Sequence, residues 1–195
     1  MRAIRAAWLG RACRGLNGGL NVSRELLRIY HFYMRVLGFE LLPELVYRVM
    51  GEAGFGPLAR LYADATKRYI ERYMPGERDP RKLIEAMTSV ARAAREAIGE
   101  EPLFDFTVSA GENRLVIEAP SPEDGGDGRV GMLRAAVLLG IVAGIIEAAG
   151  YKTYVLTRKE RASLLPQGSV VLYAEKSGDR VRIVAEYASS AAGSA

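Results

Sequence analysis

Residues Arg129–Gly150, RVGMLRAAVLLGIVAGIIEAAG, decide the fold. Arg134 and Glu147 are the charges well inside this stretch, and Ala135–Ile146 carries none. A helix of that composition must be covered on nearly every side. The uncharged run is 12 residues long, whereas a membrane span needs about 20 apolar residues. It therefore reads as a core helix, with no transmembrane segment expected. Gly150 stops it, and Ala136, Gly140 and Gly144 recur at every fourth position, leaving a strip that a sheet or another helix can approach closely.

On either side of this helix the pattern alternates with period two. Leu103–Ser109 and Arg114–Ala119 flank Gly111-Glu112, which gives a hairpin with Phe104, Phe106 and Val108 opposite Ala119, Ile117 and Leu115. A one-residue slip would send the same apolar set to opposite faces. Downstream, Tyr151–Thr157 reads as a strand, Arg158–Leu165 as a helical turn, and Ser169–Glu175 with Arg180–Tyr187 as a second hairpin across Lys176–Asp179. Matching Glu175 with Arg180 puts Val170, Leu172 and Ala174 on one face with Val181, Ile183 and Ala185, and leaves Tyr173 and Arg182 on a mixed face.

Upstream the spacing is helical. Ser23 caps a helix to about Leu37 that Gly38 stops, and Pro43 opens a short helix ending near Gly51. Pro57 opens a third, with Leu58, Leu61, Tyr62, Ala65, Tyr69, Ile70 and Tyr73 on one face, closed by Pro75-Gly76. Asp79-Pro80 begins a fourth, carrying Leu83, Ile84, Met87, Val90, Ala91, Ala94 and Ile98. The whole predicts an α+β fold: N-terminal helices, then an antiparallel sheet in ββαβββ-like order with helices on one face. Residues 1–22 form a basic N-terminal segment, 23–187 one domain and 188–195 a small, polar tail.

The chain has 195 residues and a net charge of +4, with one Cys and one His. Cys13 cannot form an intrachain disulfide, and no Cys/His cluster suits a structural zinc, so no metal or other cofactor is expected. Charge is polarised: residues 1–50 carry a net +5 and residues 101–150 a net −5. No acidic residue precedes Glu25, while Arg2, Arg5, Arg11, Arg14 and Arg24 do. No apolar secretory segment with a cleavage site is present, so the expected location is cytoplasmic.

Few residues suggest chemistry. His31 lacks a second candidate ligand nearby in sequence, and Cys13 lies between arginines that favour its thiolate. In the first hairpin Asp105 faces Glu118, a carboxylate pair that could share a proton or simply sit around an arginine. Glu123–Gly128 lacks the order of an EF-hand loop, and Gly51-x-x-Gly54-x-Gly56 lies between helices, out of context for a dinucleotide site. Tyr62, Tyr69 and Tyr73, with Arg60, Lys67, Arg68 and Arg72 around them, could stack bases, although Asp64 and Glu71 interrupt the patch.

Three stretches carry a family resemblance: VYRVMGEAGFGPLARL (Val46–Leu61), LVIEAP (Leu115–Pro120) and MLRAAVLLGIVAGIIEAAGYKTYV (Met132–Val155). Together with the element order, they resemble the TRAPP vesicle-tethering subunits and the prokaryotic 4-vinyl-reductase-type domains, over most of residues 23–187. The sequence departs from that pattern in having no Cys near Tyr69–Tyr73 or in the C-terminal hairpin, which argues against covalent acylation and metal chemistry there. The resemblance implies a dimerising, non-enzymatic scaffold, in some members with an apolar channel for a lipid-like ligand. Phe104, Phe106, Leu138, Ile141, Ile145 and Val155 would line such a channel, or fill a solid core. The functional expectation is a homodimeric interaction module. The alternatives are a nucleic-acid or acidic-surface binder working through the Arg-rich N-terminus, and an enzyme using Asp105 and Glu118.

Overall fold

The computed structural model describes residues 24–98, 106–111, 113–120, 128–157, 168–177 and 180–187. Helix α1 (Arg24–Arg35) runs through a π-turn (Val36–Leu41) into α2 (Leu42–Met50). A 3₁₀ turn (Gly51–Gly54) leads to α3 (Phe55–Tyr73) and then α4 (Pro80–Ile98). Strands β1 (Thr107–Ala110) and β2 (Arg114–Pro120) precede the long helix α5 (Gly128–Ala148). Strands β3 (Lys152–Val155), β4 (Ser169–Ser177) and β5 (Arg180–Tyr187) follow it. The fold is α+β, with a five-stranded sheet ordered β1-β2-β5-β4-β3.

Helix α5 occupies the centre. Leu133, Val137, Leu139, Val142, Ile145 and Ile146 are fully buried. By length and composition it could cross a membrane, but 72% of its apolar window is buried inside the protein. It packs between the sheet and α3. Its C-terminus closes as a Schellman turn: Gly150 takes a left-handed φ of 104°, Gly150 N–H donates to the Glu147 carbonyl, and Tyr151 N–H to that of Ile146.

The glycine strip is where α3 crosses. A Cβ on Gly140 would lie 2.8 Å from Tyr62 Cβ and closer still to the Ala59 carbonyl oxygen. One on Gly144 would lie 2.7 Å from Thr66 Cβ and closer still to the Ala63 carbonyl oxygen. The buried face of α3 is therefore Leu58, Ala59, Ala63, Thr66 and Ile70, which corrects the expected stripe. Leu61, Ala65 and Tyr73 are exposed, because backbones this close admit small residues at the seam and turn the larger ones outward.

Gly38 does not stop the first helix. The chain remains helical to Met50, and Leu42 N–H bonds the Leu37 carbonyl five residues back. Pro43 supplies the reason: a proline ring clashes with the carbonyl four residues earlier and has no N–H to give it. The wider π-turn just ahead of Pro43 makes room for the ring.

Both hairpins keep the expected faces but slide by two residues. Val108 pairs with Ile117 and Thr107 with Glu118 in the first, and Glu175 pairs with Arg182 in the second. An even slip preserves the buried face, so Phe106, Leu115, Ile117, Ala119, Leu172 and Ile183 still meet the core. Gly111 lies outside the left-handed region that a glycine-first II′ turn requires, and its N–H instead bonds the Arg114 carbonyl. Strand β2 is held along its whole length by β5, from Arg114–Glu186 to Pro120–Arg180, and that pairing sets its position.

Two further differences concern the sheet. It is mixed rather than wholly antiparallel, since β3 runs parallel to β4. A 13-residue connection, 156–168, is long enough for the crossover such a pair needs. The reverse face is not simply mixed, because Val171, Tyr173 and Val184 form a second buried cluster with Leu156 against it. There Tyr173 donates to Glu186 Oε1 at 2.7 Å, and burial, then that carboxylate, holds its hydroxyl well above the usual tyrosine range. The expected turn at Arg158–Leu165, the loop 121–127, Cys13 and the basic N-terminal segment lie outside the described residues.

Candidate docking surface

Among the described residues, most of the exposed large apolar side chains lie along α1, the π-turn and α2. Ile29, Tyr33, Leu37, Leu41, Leu45 and Val49 follow one another at every fourth residue, and all are exposed. Phe32, Met34 and Met50 flank them, also exposed. In a uniform α-helix a four-residue step overshoots the turn by about 40°, so six such positions would wind about 200° around the axis. The π-turn accommodates about one extra residue and takes back about 100° of that drift. A helical irregularity thus keeps the apolar ribbon on one side. Exposure reaches 60% at Phe32 and 76% at Val49.

At the middle of the ribbon Leu37, Leu41, Leu42 and Leu45 line an open groove of about 550 Å³, bordered by Glu44 and Arg48. Those two are paired at 2.5 Å along α2. The π-turn beneath is fixed from the core side: Tyr62 Oη donates to the Gly38 carbonyl at 2.5 Å, and its ring packs against Phe39 at 6.4 Å between centroids. Burial raises the Tyr62 hydroxyl above its ordinary range.

The residues expected to line a channel are packed instead into the core. Phe106, Leu138, Ile141 and Ile145 are buried, and Val155 is partly buried against the same cluster. Phe104 lies outside the described residues. Phe106 alone of the described set also borders a cleft, one of about 190 Å³ between α4 and β1.

The register opposite Glu118 differs from the expected one. Thr107 stands opposite Glu118, and Asp105 lies outside the described residues. Glu118 faces arginines: Arg182 Nη2 lies 3.3 Å from its Oε1 and Arg180 Nε 3.9 Å from its Oε2. The better-built ionic site was not singled out from sequence. Arg60 grips Glu147 through Nη1 at 2.7 Å and Nη2 at 2.9 Å, and its Nε reaches Asp64 at 3.0 Å. Thr153 Oγ1 donates to Glu147 Oε1 at 2.6 Å. The bond to Arg60 holds the Asp64 carboxyl below its usual range. This network ties α3, α5 and β3 together. The visible signal is a lone glutamate at the end of the uncharged run Ala135–Ile146.

The tyrosine stripe is divided. Tyr62 and Tyr69 are half-buried, and Tyr73 is exposed, with the Arg72 guanidinium 5.4 Å from its ring. His31 is partly exposed on α1, and no cluster of three or more metal-ligating side chains occurs among the described residues. Comparison of the chain with protein-family models, with characterised proteins and with solved structures found no match.

Proposed function

We propose that this protein is a non-enzymatic interaction scaffold that self-associates through the α1–α2 ribbon. The observation that supports the reading is the ribbon itself. Nine large apolar side chains lie along it, seven of them aliphatic or Met, at 45–76% exposure. A monomer exposes such residues singly, and a contiguous patch of them marks an interaction surface. Glu44 and Arg48 beside Leu45 suit a two-fold arrangement, because a copy turned end over end brings each arginine to the other chain's glutamate. The likeness to the TRAPP and 4-vinyl-reductase-type domains points the same way, towards a dimerising scaffold that handles apolar ligands.

Light scattering after size exclusion, with native mass spectrometry of the full chain, tests this. The expected mass is twice 21.3 kDa, falling to one chain in Leu41→Glu/Leu45→Glu with unchanged circular dichroism. A strict monomer at tens of micromolar would overturn the reading. A bound lipid in the native spectrum would instead assign the groove to a small apolar ligand.

A further inference from the structure

The ribbon along α1, the π-turn and α2 is unequal end to end, in charge and in shape. Residues 24–38 hold three Arg and one Glu, and residues 39–54 hold three Glu and one Arg. With His31 neutral, one half is net basic and the other net acidic by the same amount. The relief changes over at the same place. The first half raises two exposed aromatic side chains, Phe32 and Tyr33, whose rings meet edge to face at 6.1 Å. The second half is hollowed by the groove that Leu37, Leu41, Leu42 and Leu45 line.

These two gradients constrain how a second copy can lie on the ribbon. A copy running in the same direction would set basic half on basic half, ring on ring and groove on groove. A copy turned end over end sets unlike halves together, twice over. Two registers of the turned copy put an arginine across from a glutamate. One is centred on Val46 and exchanges Glu44 and Arg48 between chains, but it leaves Ile29, Tyr33 and Leu37 beyond the contact. The other is centred on Phe39. There Ile29 faces the partner's Val49, Tyr33 the partner's Leu45, and Leu37 the partner's Leu41, so the six exposed ribbon positions cover the same six. Arg35, at the end of α1, comes within one position of the partner's Glu44. A tyrosine suits the groove it meets: its ring lies on the leucines, and its hydroxyl reaches the polar border of Glu44 and Arg48.

We propose that two chains pair antiparallel about Phe39, each seating Tyr33 in the other's leucine groove and laying its basic half along the other's acidic half. This inference rests on the self-association put forward above, and it adds what makes the surface selective. The groove is complete only with the partner's Tyr33 in it. Exposed ion pairs contribute little each, so the charge gradient acts on direction and on partner choice, disfavouring apolar partners that lack its complement. The tyrosine–leucine contacts at the centre supply the affinity.

The test uses full-length chains carrying Cys13→Ser, with Tyr33→Cys or Leu45→Cys added, oxidised separately and as an equimolar mixture. A disulfide spans at most about 7 Å between Cα atoms, whereas positions twelve residues out of register lie about 18 Å apart along a helix. The mixture is expected to cross-link position 33 to position 45, and neither variant to cross-link to itself. Leu45→Cys joining its own kind would assign the register centred on Val46, and Tyr33→Cys joining its own kind a parallel pair. Either result overturns the proposal and leaves self-association standing. Charge gives a second measurement. Arg28→Glu/Arg35→Glu and Glu44→Lys/Glu52→Lys, with unchanged circular dichroism, should each self-associate about tenfold more weakly, and mixing them should restore a dimer of one chain of each. A mixture no tighter than its components overturns the proposal. A wild-type chain that is monomeric at tens of micromolar overturns self-association and this inference together.

Discussion

Replacing Gly140 by alanine adds one methyl group at the tightest crossing in the protein. That carbon would lie 2.8 Å from Tyr62 Cβ and nearer still to the Ala59 carbonyl oxygen, where carbon atoms pack best at about 3.5–4.0 Å. A carbonyl within a helix cannot rotate away, so relief requires α3 and α5 to part by about 1 Å. A gap of about 0.5–1 Å forfeits a quarter to a half of each dispersion contact along the seam. Overpacking of this kind costs about 1–3 kcal/mol, and alanine returns about 1 kcal/mol of helix propensity. The cost on the protein scale is set by backbone that cannot yield, so the expected net loss for Gly140→Ala is about 2 kcal/mol, with a similar loss for Gly144→Ala. The double variant should lose less than the sum, since helices already parted for one methyl accept the second more cheaply. Urea unfolding followed by circular dichroism, with m-values compared, gives all three free energies. A neutral or stabilising Gly140→Ala, or strict additivity with Gly144→Ala, would refute the close-crossing argument.

Three other outcomes are expected. Glu147→Ala removes a side chain 9% exposed that accepts from Arg60 and Thr153, and should cost about 2–3 kcal/mol in the same unfolding assay; a cost under about 0.5 kcal/mol would mean the network contributes nothing. Burial, then Tyr151 and Asp79, pushes the Tyr187 hydroxyl up to about 12. A raised folded-state value means that its stabilisation is complete below pH 10 and disappears as pH rises towards 12, about 1 kcal/mol after discounting for its half-exposed position. Tyr187→Phe should flatten that alkaline slope, and an unchanged slope would contradict the assignment. Tyr62→Phe deletes the donor to the Gly38 carbonyl and should cost about 1 kcal/mol, read by hydrogen exchange as faster opening of residues 37–42 than of α3.

What the sequence made legible follows from what burial enforces. An uncharged run such as Ala135–Ile146 has few places to go except the core, and its glycines announce a close neighbour, though not which one. Alternation fixed the inward faces of β2, β4 and β5. It could not fix register, because Val108 opposite Leu115 and Val108 opposite Ile117 bury the same side chains; the choice rests on the β2–β5 pairing, between segments about 65 residues apart in sequence. The same non-local cause hid the parallel β3–β4 pair. Gly38 was read as a stop because glycine is a poor helix former, whereas the decisive residue was Pro43, whose ring is accommodated by widening the turn before it. Phe106, Leu138, Ile141, Ile145 and Val155 lie in or against the core, but spacing alone does not separate a lined cavity from a filled one. The α3 face was misjudged for the converse reason: hydrophobicity assigned Leu61 and Tyr73 inward, while the seam against Gly140 and Gly144 admits only Ala59, Ala63 and Thr66.

These points bear on why the ribbon exists at all. Helix α5 meets the sheet on one side and α3 on the other, and the seam with α3 is made of residues too small to leave room for more. The α1–α2 stretch therefore touches the core mainly through Phe39, Leu42, Val46 and Tyr47, its partly buried side. Ile29, Tyr33, Leu37, Leu41, Leu45 and Val49 lie beyond that side, and no rotation of the helix could bury both sets. Exposing this many large apolar groups works against folding cooperativity and solubility, and the π-turn that aligns them is held in place by Tyr62. A surface that only tolerated stray apolar residues would need neither the four-residue spacing nor the anchored irregularity that keeps it straight. Alignment has a physical use when a second surface must meet the whole ribbon at once.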